Sequence, residues 1–139
     1  MATQTEIASG NTATFTIKIN GTSIPSELNV LSIHINKAVN RIAIAKITIL
    51  DGEANTGKFD ASSSSTFIPG AKISIECGYD SKNEIVFQGI ITSQSIRIDE
   101  IVGSALEVEC RDEAIKMIVG RKSLSFSKQK DSDIISSII

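Results

Sequence analysis

The stretch KISIECGYDSKNEIVFQGIITSQSIRIDEIVGSALEVECR, residues 72–111, decides the fold. From Lys72 to Gly78, Ile73, Ile75 and Cys77 alternate with polar residues. From Ser104 to Arg111, Leu106, Val108 and Cys110 alternate with Glu107, Glu109 and Arg111. Strict period-two alternation is the mark of a strand with one face buried and one face wet. Leu106, Val108 and Cys110 are therefore expected inside, and Glu107, Glu109 and Arg111 outside. Between these strands lies one long run, Glu84–Ile98. Fully extended it would reach ~50 Å, beyond the usual strand. A bulge or bend is expected near Gly89 or at Ser93-Gln94-Ser95, because glycine and extra residues are how long strands turn corners. The polar connection Tyr79–Asn83 and a turn around Asp99–Gly103 link the three.

Upstream the same pattern recurs. Phe15, Ile17 and Ile19 share one face, and Asn20-Gly21 closes that run with a common hairpin-turn pair. Leu28–Asn36 reads as a strand with Leu31, Ile33 and Ile35 on one face. Arg41–Leu50 reads as another, with Ala43, Ala45, Ile47 and Ile49 opposite Ile42, Ile44 and Lys46, and Asp51-Gly52 stops it. A Ser-rich loop follows from Glu53 to Thr66, with Phe59 its one evident anchor, and Pro69-Gly70 marks the next turn. Helical spacing appears late. Asp112 is placed to cap a short helix through Val119 with Gly120 as its stop, and Asp131-Ser132-Asp133 opens a second helix carrying Ile134, Ile135, Ile138 and Ile139. Leu124 and Phe126 suggest one more short strand. The fold class is mainly β: a barrel-like domain of six or seven mostly antiparallel strands with one or two short helices. The expected organisation is a first barrel over residues 1–130 and, over 131–139, the start of a helix leading into a following segment, the chain being a fragment of a longer protein.

Composition narrows the function classes. The 139 residues suit a single domain. A net charge of −2 argues against a general nucleic-acid binder, which needs a strong positive field. Charge is uneven: residues 111–130 carry Arg111, Lys116, Arg121, Lys122, Lys128 and Lys130 against Asp112 and Glu113. That segment reads either as a solvated face or as a docking patch for an acidic partner. No charged-then-apolar leader opens the chain, and no run approaches the ~20 apolar residues that span a bilayer, so neither a signal peptide nor stable membrane insertion is expected. Cys77 and Cys110 sit within strand patterns, where reduced thiols of a cytoplasmic chain are expected.

The polar residues form no recognisable catalytic constellation. Gly52–Lys58 has the G-x-x-x-x-G-K spacing of a phosphate loop, but Phe59 stands where a Mg²⁺-holding Ser or Thr belongs, and DASSSST does not read as the helix such a loop requires. His34 is the single histidine and sits in a strand; no nucleophile motif surrounds any serine. The two cysteines lack paired zinc-ligand spacing, and Asp131-x-Asp133 lacks the glycine and distal glutamate of a calcium loop. The expectation is no catalytic residue, no cofactor, no metal and no enzyme activity. A ligand-binding barrel, for instance for carbohydrate, is disfavoured by the absence of Trp and the single Tyr.

Several motifs in order, over about residues 28–139, resemble the hub region of the VgrG (Rhs-element Vgr) family, spike-tip components of type VI secretion systems related to tail protein D of contractile phages. They are Ile47–Gly52, the Phe67–Gly70 turn, Gly78-Tyr79, Phe87-Gln88-Gly89-Ile90, Cys110-Arg111-Asp112 with Ala114 and Lys116-Met117, Arg121-Lys122, and Asp131–Ile135. The resemblance implies a homotrimeric hub whose two barrels per chain form a pseudo-sixfold ring. It would join a tail-tube (Hcp-like) ring and baseplate proteins to a spike that sometimes carries an effector. It also implies assembly in the bacterial cytoplasm and expulsion on contraction. A phage or prophage tail hub is the alternative within the same class. Arg111, Arg121 and Lys122 are the expected assembly contacts, their local alternative being caps on the short helix and its loop.

Overall fold

A computed structural model describes residues 12–52, 59–80, 82–99, 103–120 and 123–138. In chain order these form β1 (Ala13–Ile19), β2 (Thr22–Ser23), β3 (Val30–Asn36), β4 (Ile44–Leu50), α1 (Asp60–Ser63), β5 (Lys72–Tyr79), β6 (Lys82–Asp99), β7 (Gly103–Arg111), α2 (Ile115–Ile118) and α3 (Asp131–Ile138). The described strands make one antiparallel sheet of seven, ordered β2-β1-β5-β6-β7-β4-β3. The mainly-β expectation holds, with three short helices instead of one or two.

The long run is a single 18-residue strand, and it serves two half-sheets. Its first half, Lys82–Ile90, pairs with β5, and its second, Ile90–Asp99, pairs with β7. Register shifts fall between Phe87 and Ile85 on the β5 side and between Ile91 and Ser93 on the β7 side. The interruptions thus sit at Val86 and Thr92, flanking Gly89, where a bend was expected. Gly89 is a close-approach glycine. A Cβ there would overlap the Arg111 carbonyl group, whose carbon lies 2.7 Å from the position it would take. Only a residue without a side chain lets β6 pass so near the end of β7.

Inward sets follow the alternation. Ile17 and Ile19, Ala45, Ile47 and Ile49, Ile73 and Ile75, Phe87 and Ile91, and Leu106, Val108 and Cys110 are all buried in one core with Ala61 and Phe67. Asn20 and Gly21 both adopt positive φ, 50° and 85°, and turn β1 into β2. Gly70, at φ 95°, follows Pro69 in a turn closed by the Ala71 amide on the Ile68 carbonyl at 3.1 Å. That turn is stitched to β6, with the Gly70 amide donating to Ile91 O at 2.7 Å and the Ile91 amide to Ala71 O at 2.9 Å.

Four local readings need correction. Leu31 is exposed, because a register shift between Val30 and Ser32 breaks the β3 alternation and leaves Val30, Ile33 and Ile35 facing the core. The Ser-rich loop is anchored by fully buried Ala61 and Phe67, not by half-buried Phe59, and it contains the helical turn α1. The helix expected from Asp112 to Val119 is the one-turn α2. The Asp112 carboxylate accepts the Ala114 amide at 2.9 Å just ahead of it. Finally, Ser123–Ser127 is not a strand: it has no regular secondary structure and is exposed.

Gly89→Ala is expected to lower unfolding stability by about 2–3 kcal/mol, the range of overpacking a tight site. Gly103→Ala, where φ is 85° but no atom lies within 4 Å, should lose only about 1 kcal/mol. Urea midpoints of the two variants check the ranking.

Candidate assembly surfaces

Four surface features are built by this sheet. The first is its outer charged face. Alternation sends Lys46, Glu107, Glu109 and Arg111 outward, and they pair among themselves. Lys46 Nζ lies 2.8 Å from Glu107, Arg97 reaches the same carboxylate at 3.8 Å, and Arg111 Nη2 meets Glu109 Oε1 at 2.9 Å. Lys46, foremost by its hydrogen bond and then by its charge, with help from Arg97, holds the Glu107 carboxyl below its ordinary range. The second feature is a polar cleft of about 500 Å³ where Lys18, Lys72, Gln88, Asp112 and Glu113 converge. Its charges too are matched, Lys18 to Glu76 at 2.6 Å and Lys72 to Glu113 at 3.6 Å.

The third is an apolar groove of about 440 Å³. Ala13–Phe15 of β1 line one wall and Val30–Ile33 of β3 the other, with Cys77–Tyr79 alongside. These strands come from opposite flanks of the sheet, so the sheet curls until its flanks face each other, as a barrel does. No ladder joins them, and the groove is the gap. The fourth is the segment after β7, where Met117, Ile118, Val119, Leu124, Ile135 and Ile138 are exposed.

Of the residues singled out by charge, Arg111 is about one-third exposed and bound to Glu109. It stands on the outer face at the end of β7. Arg121 and Lys122 lie outside the described residues. Most of the phosphate-loop motif, residues 53–58, lies outside them as well. What flanks it is informative. The Asp51 carboxylate, buried at the end of β4, accepts the amides of Ala61 at 2.9 Å and Ser62 at 2.7 Å. The amides that open α1 therefore already hold an anion of the protein's own. Sequence reading took Asp51 for a simple strand stop; its ten-residue reach to α1 left no local signal.

His34 is exposed on the edge strand β3, opposite Lys46. Cys110 is fully buried and its thiol is pushed up to about 12, mainly by desolvation and then by Glu109. Burial also raises Cys77, which is half-buried at the groove. Among the described residues, no group of three or more His, Cys, Asp or Glu is placed to hold a metal ion. No described helix is long and apolar enough to cross a membrane.

Comparison with known proteins places this geometry. Residues 9–139 match the model of the Alg8 N-terminal domain. The chain belongs to the Alg8 N-terminal domain family. No curated protein matches the sequence. Among solved structures, the 43 kDa tail protein of prophage MuSo2 from Shewanella oneidensis superposes with a TM-score of 0.55 at 13% identity. The alignment covers 81% of this chain and 31% of that one, so the chain spans about a third of the tail protein's length. The matching family model is not that of VgrG. What the motif resemblance and the solved structure share is a phage tail-like fold.

Two outcomes follow from the site. Asp51→Ala strands the buried Ala61 amide and its neighbour. It should destabilise the chain by about 1–3 kcal/mol, with Asp51→Asn losing less, as read by thermal unfolding. For Glu107, a folded pKa below the unfolded value adds stability above about pH 4.5, which is lost as pH falls through the lowered value. Unfolding midpoints between pH 6 and pH 3 should therefore drop more steeply for the wild-type chain than for Glu107→Gln.

Proposed function

We propose that this chain is a structural part of a phage tail-like contractile injection apparatus, working by assembly and not by catalysis. The observation that carries the reading is the likeness of its seven-stranded fold to a prophage tail protein over most of its length. The VgrG-like motifs support the finer form. In that form the domain is the first barrel of a hub, homotrimeric in the whole protein, set between a tail-tube ring and a spike. It would be made in the bacterial cytoplasm and driven out on contraction, with or without an effector cargo. A phage or prophage tail hub is the same reading in another machine.

The charge pairs of the outer face bear on how such a hub would bind. Arg111 carries its own counter-ion in Glu109, so any neighbour must displace or extend that pair. An acidic tube surface would do so with the help of Arg121 and Lys122, whose positive charge adds to a segment already basic.

Absolute mass by light scattering of the full-length gene product tests the proposal. A trimer is expected, and a monomer would overturn the hub. Charge reversal of Arg111, Arg121 and Lys122 together is expected to abolish binding to the tail-tube ring while leaving the far-ultraviolet spectrum unchanged. Undiminished binding would remove these residues from the contact.

A further inference from the structure

Two dipeptides in this chain carry the same latent chemistry, and the fold treats them oppositely. Asn20-Gly21 and Asp51-Gly52 are its single Asn-Gly and its single Asp-Gly pair. In each, the glycine nitrogen can attack the preceding side-chain carbonyl carbon and close a cyclic imide, because glycine has no side chain to obstruct the approach. At Asn20 the Gly21 nitrogen gives up its proton and bonds to Cγ, and Nδ2 leaves as ammonia. Water then opens the ring at either carbonyl. One water is consumed, one ammonia is released, and position 20 becomes aspartate or isoaspartate. At Asp51 the same closure must expel a carboxyl oxygen as water, and so needs the carboxyl group protonated.

The surroundings of the two sites differ. Asp51 is 4% exposed, and its two oxygens accept the Ala61 amide at 2.9 Å and the Ser62 amide at 2.7 Å. Both bonds must break before the carboxyl group can turn towards Gly52, and breaking them strands amides inside the protein. Asn20 is exposed, in a turn where it and Gly21 adopt φ of 50° and 85°. The Gly21 amide donates to no described residue, and nothing lies within 4 Å of where a Cβ on Gly21 would stand. The Asn20 side chain is held through Oδ1, which accepts the Lys72 amide at 3.0 Å in an exposed position. That bond exchanges readily for water, and the hairpin beside it has a second strand of only two residues, both exposed. Opening so small a hairpin costs far less than opening the core.

We propose that Asn20 is the site at which this protein modifies itself with age, by loss of its amide to give aspartate and isoaspartate, while Asp51 is spared. This stands independently of the assembly reading. The two products differ in consequence. Aspartate keeps an acceptor for the Lys72 amide and adds a negative charge beside the polar cleft lined by Lys18, Gly21 and Lys72. Isoaspartate lengthens the main chain by one carbon, which a tight hairpin turn cannot take up without moving β2. The pairing of Thr22 and Ser23 with Ile19 and Lys18 is then lost, and with it the bond of 2.9 Å from the Ile24 amide to the Ile17 carbonyl.

The test incubates the full 139-residue chain in mildly alkaline buffer, folded or unfolded in urea, and follows both positions by peptide mass mapping. Aspartate and isoaspartate are expected at position 20 of the folded chain. Isoaspartate at Asp51 should form at least ~10-fold more slowly in the folded chain than in urea, since closure there waits on local opening. Folding should slow position 20 much less. Equal slowing at the two positions, or no conversion at position 20 in the folded chain, would overturn the proposal. Asn20→Gln, whose longer side chain closes the imide poorly, should stop the conversion while circular dichroism shows the chain folded. Conversion of that variant at the wild-type rate would also overturn it. Hydrogen exchange at the Ile24 amide separates the products: faster in the isoaspartate fraction, unchanged in Asn20→Asp. Unaltered protection in the isoaspartate fraction would sink the loosening of β2.

Discussion

Everything in this fold depends on the passage of β6 across the end of β7. An 18-residue strand cannot stay flat against one neighbour along its whole length, since sheets twist and accumulate rotation with every strand. Here the strand gives its first half to β5 and its second to β7, and the handover falls at Ile90, which pairs with both Lys72 and Arg111. Gly89 makes the handover possible by removing the side chain that would meet the Arg111 carbonyl group. The irregularities at Val86 and Thr92 absorb the rest of the bend. Because the two half-sheets are hinged on one strand, their outer strands β1 and β3 swing towards each other. The groove is a consequence of that curvature, as is the enclosed core.

The parts of this architecture that could be read from the chain are those governed by nearest neighbours. Alternation placed Ile17, Ile47, Ile75, Leu106 and Val108 inside, and Asn20-Gly21 and Pro69-Gly70 at turns, because side-chain direction and φ are local properties. The pairing of β1 with β5 and of β4 with β7 was not legible, since each joins strands separated by dozens of residues and is selected by the shape of the whole core. Leu31 was misplaced for a related reason: one extra residue at the start of β3 inverts the faces, and nothing in VLSIHIN announces it. Asp51 and α1 show the same limit. A run of serines has little helical tendency of its own, and the turn exists because a carboxylate ten residues upstream satisfies its first amides.

The assembly surfaces divide along the same line. A charged residue declares itself in the sequence, as Arg111 does; that Glu109, two positions away on the same outward face, neutralises it shows only in the fold. An edge declares itself only when the sheet order is known. Ser123–Ser127 is the instructive case, because its period-two pattern was correct as a pattern and yet no strand forms there. Alternation reports what a segment could satisfy, while a partner decides whether it does.

That distinction bears on how such a domain would recognise its neighbours. Much of the charge on its outer face is locally paired: Lys18, Lys46, Lys72, Arg97, Arg111 and Lys116 each have a carboxylate within 4 Å. Exposed pairs of this kind add at most about 1 kcal/mol each to stability, but they cancel the field that would steer a partner from a distance. A surface so neutralised discriminates by shape and by unfilled hydrogen bonds. The places where this molecule offers shape are the apolar groove between β1 and β3 and the exposed apolar residues after β7. Among the described residues, Lys128 and Lys130 take part in none of the ion pairs, and they sit just beyond that segment. Charge therefore remains available next to the apolar stretch, where it can orient an incoming neighbour without being buried by it.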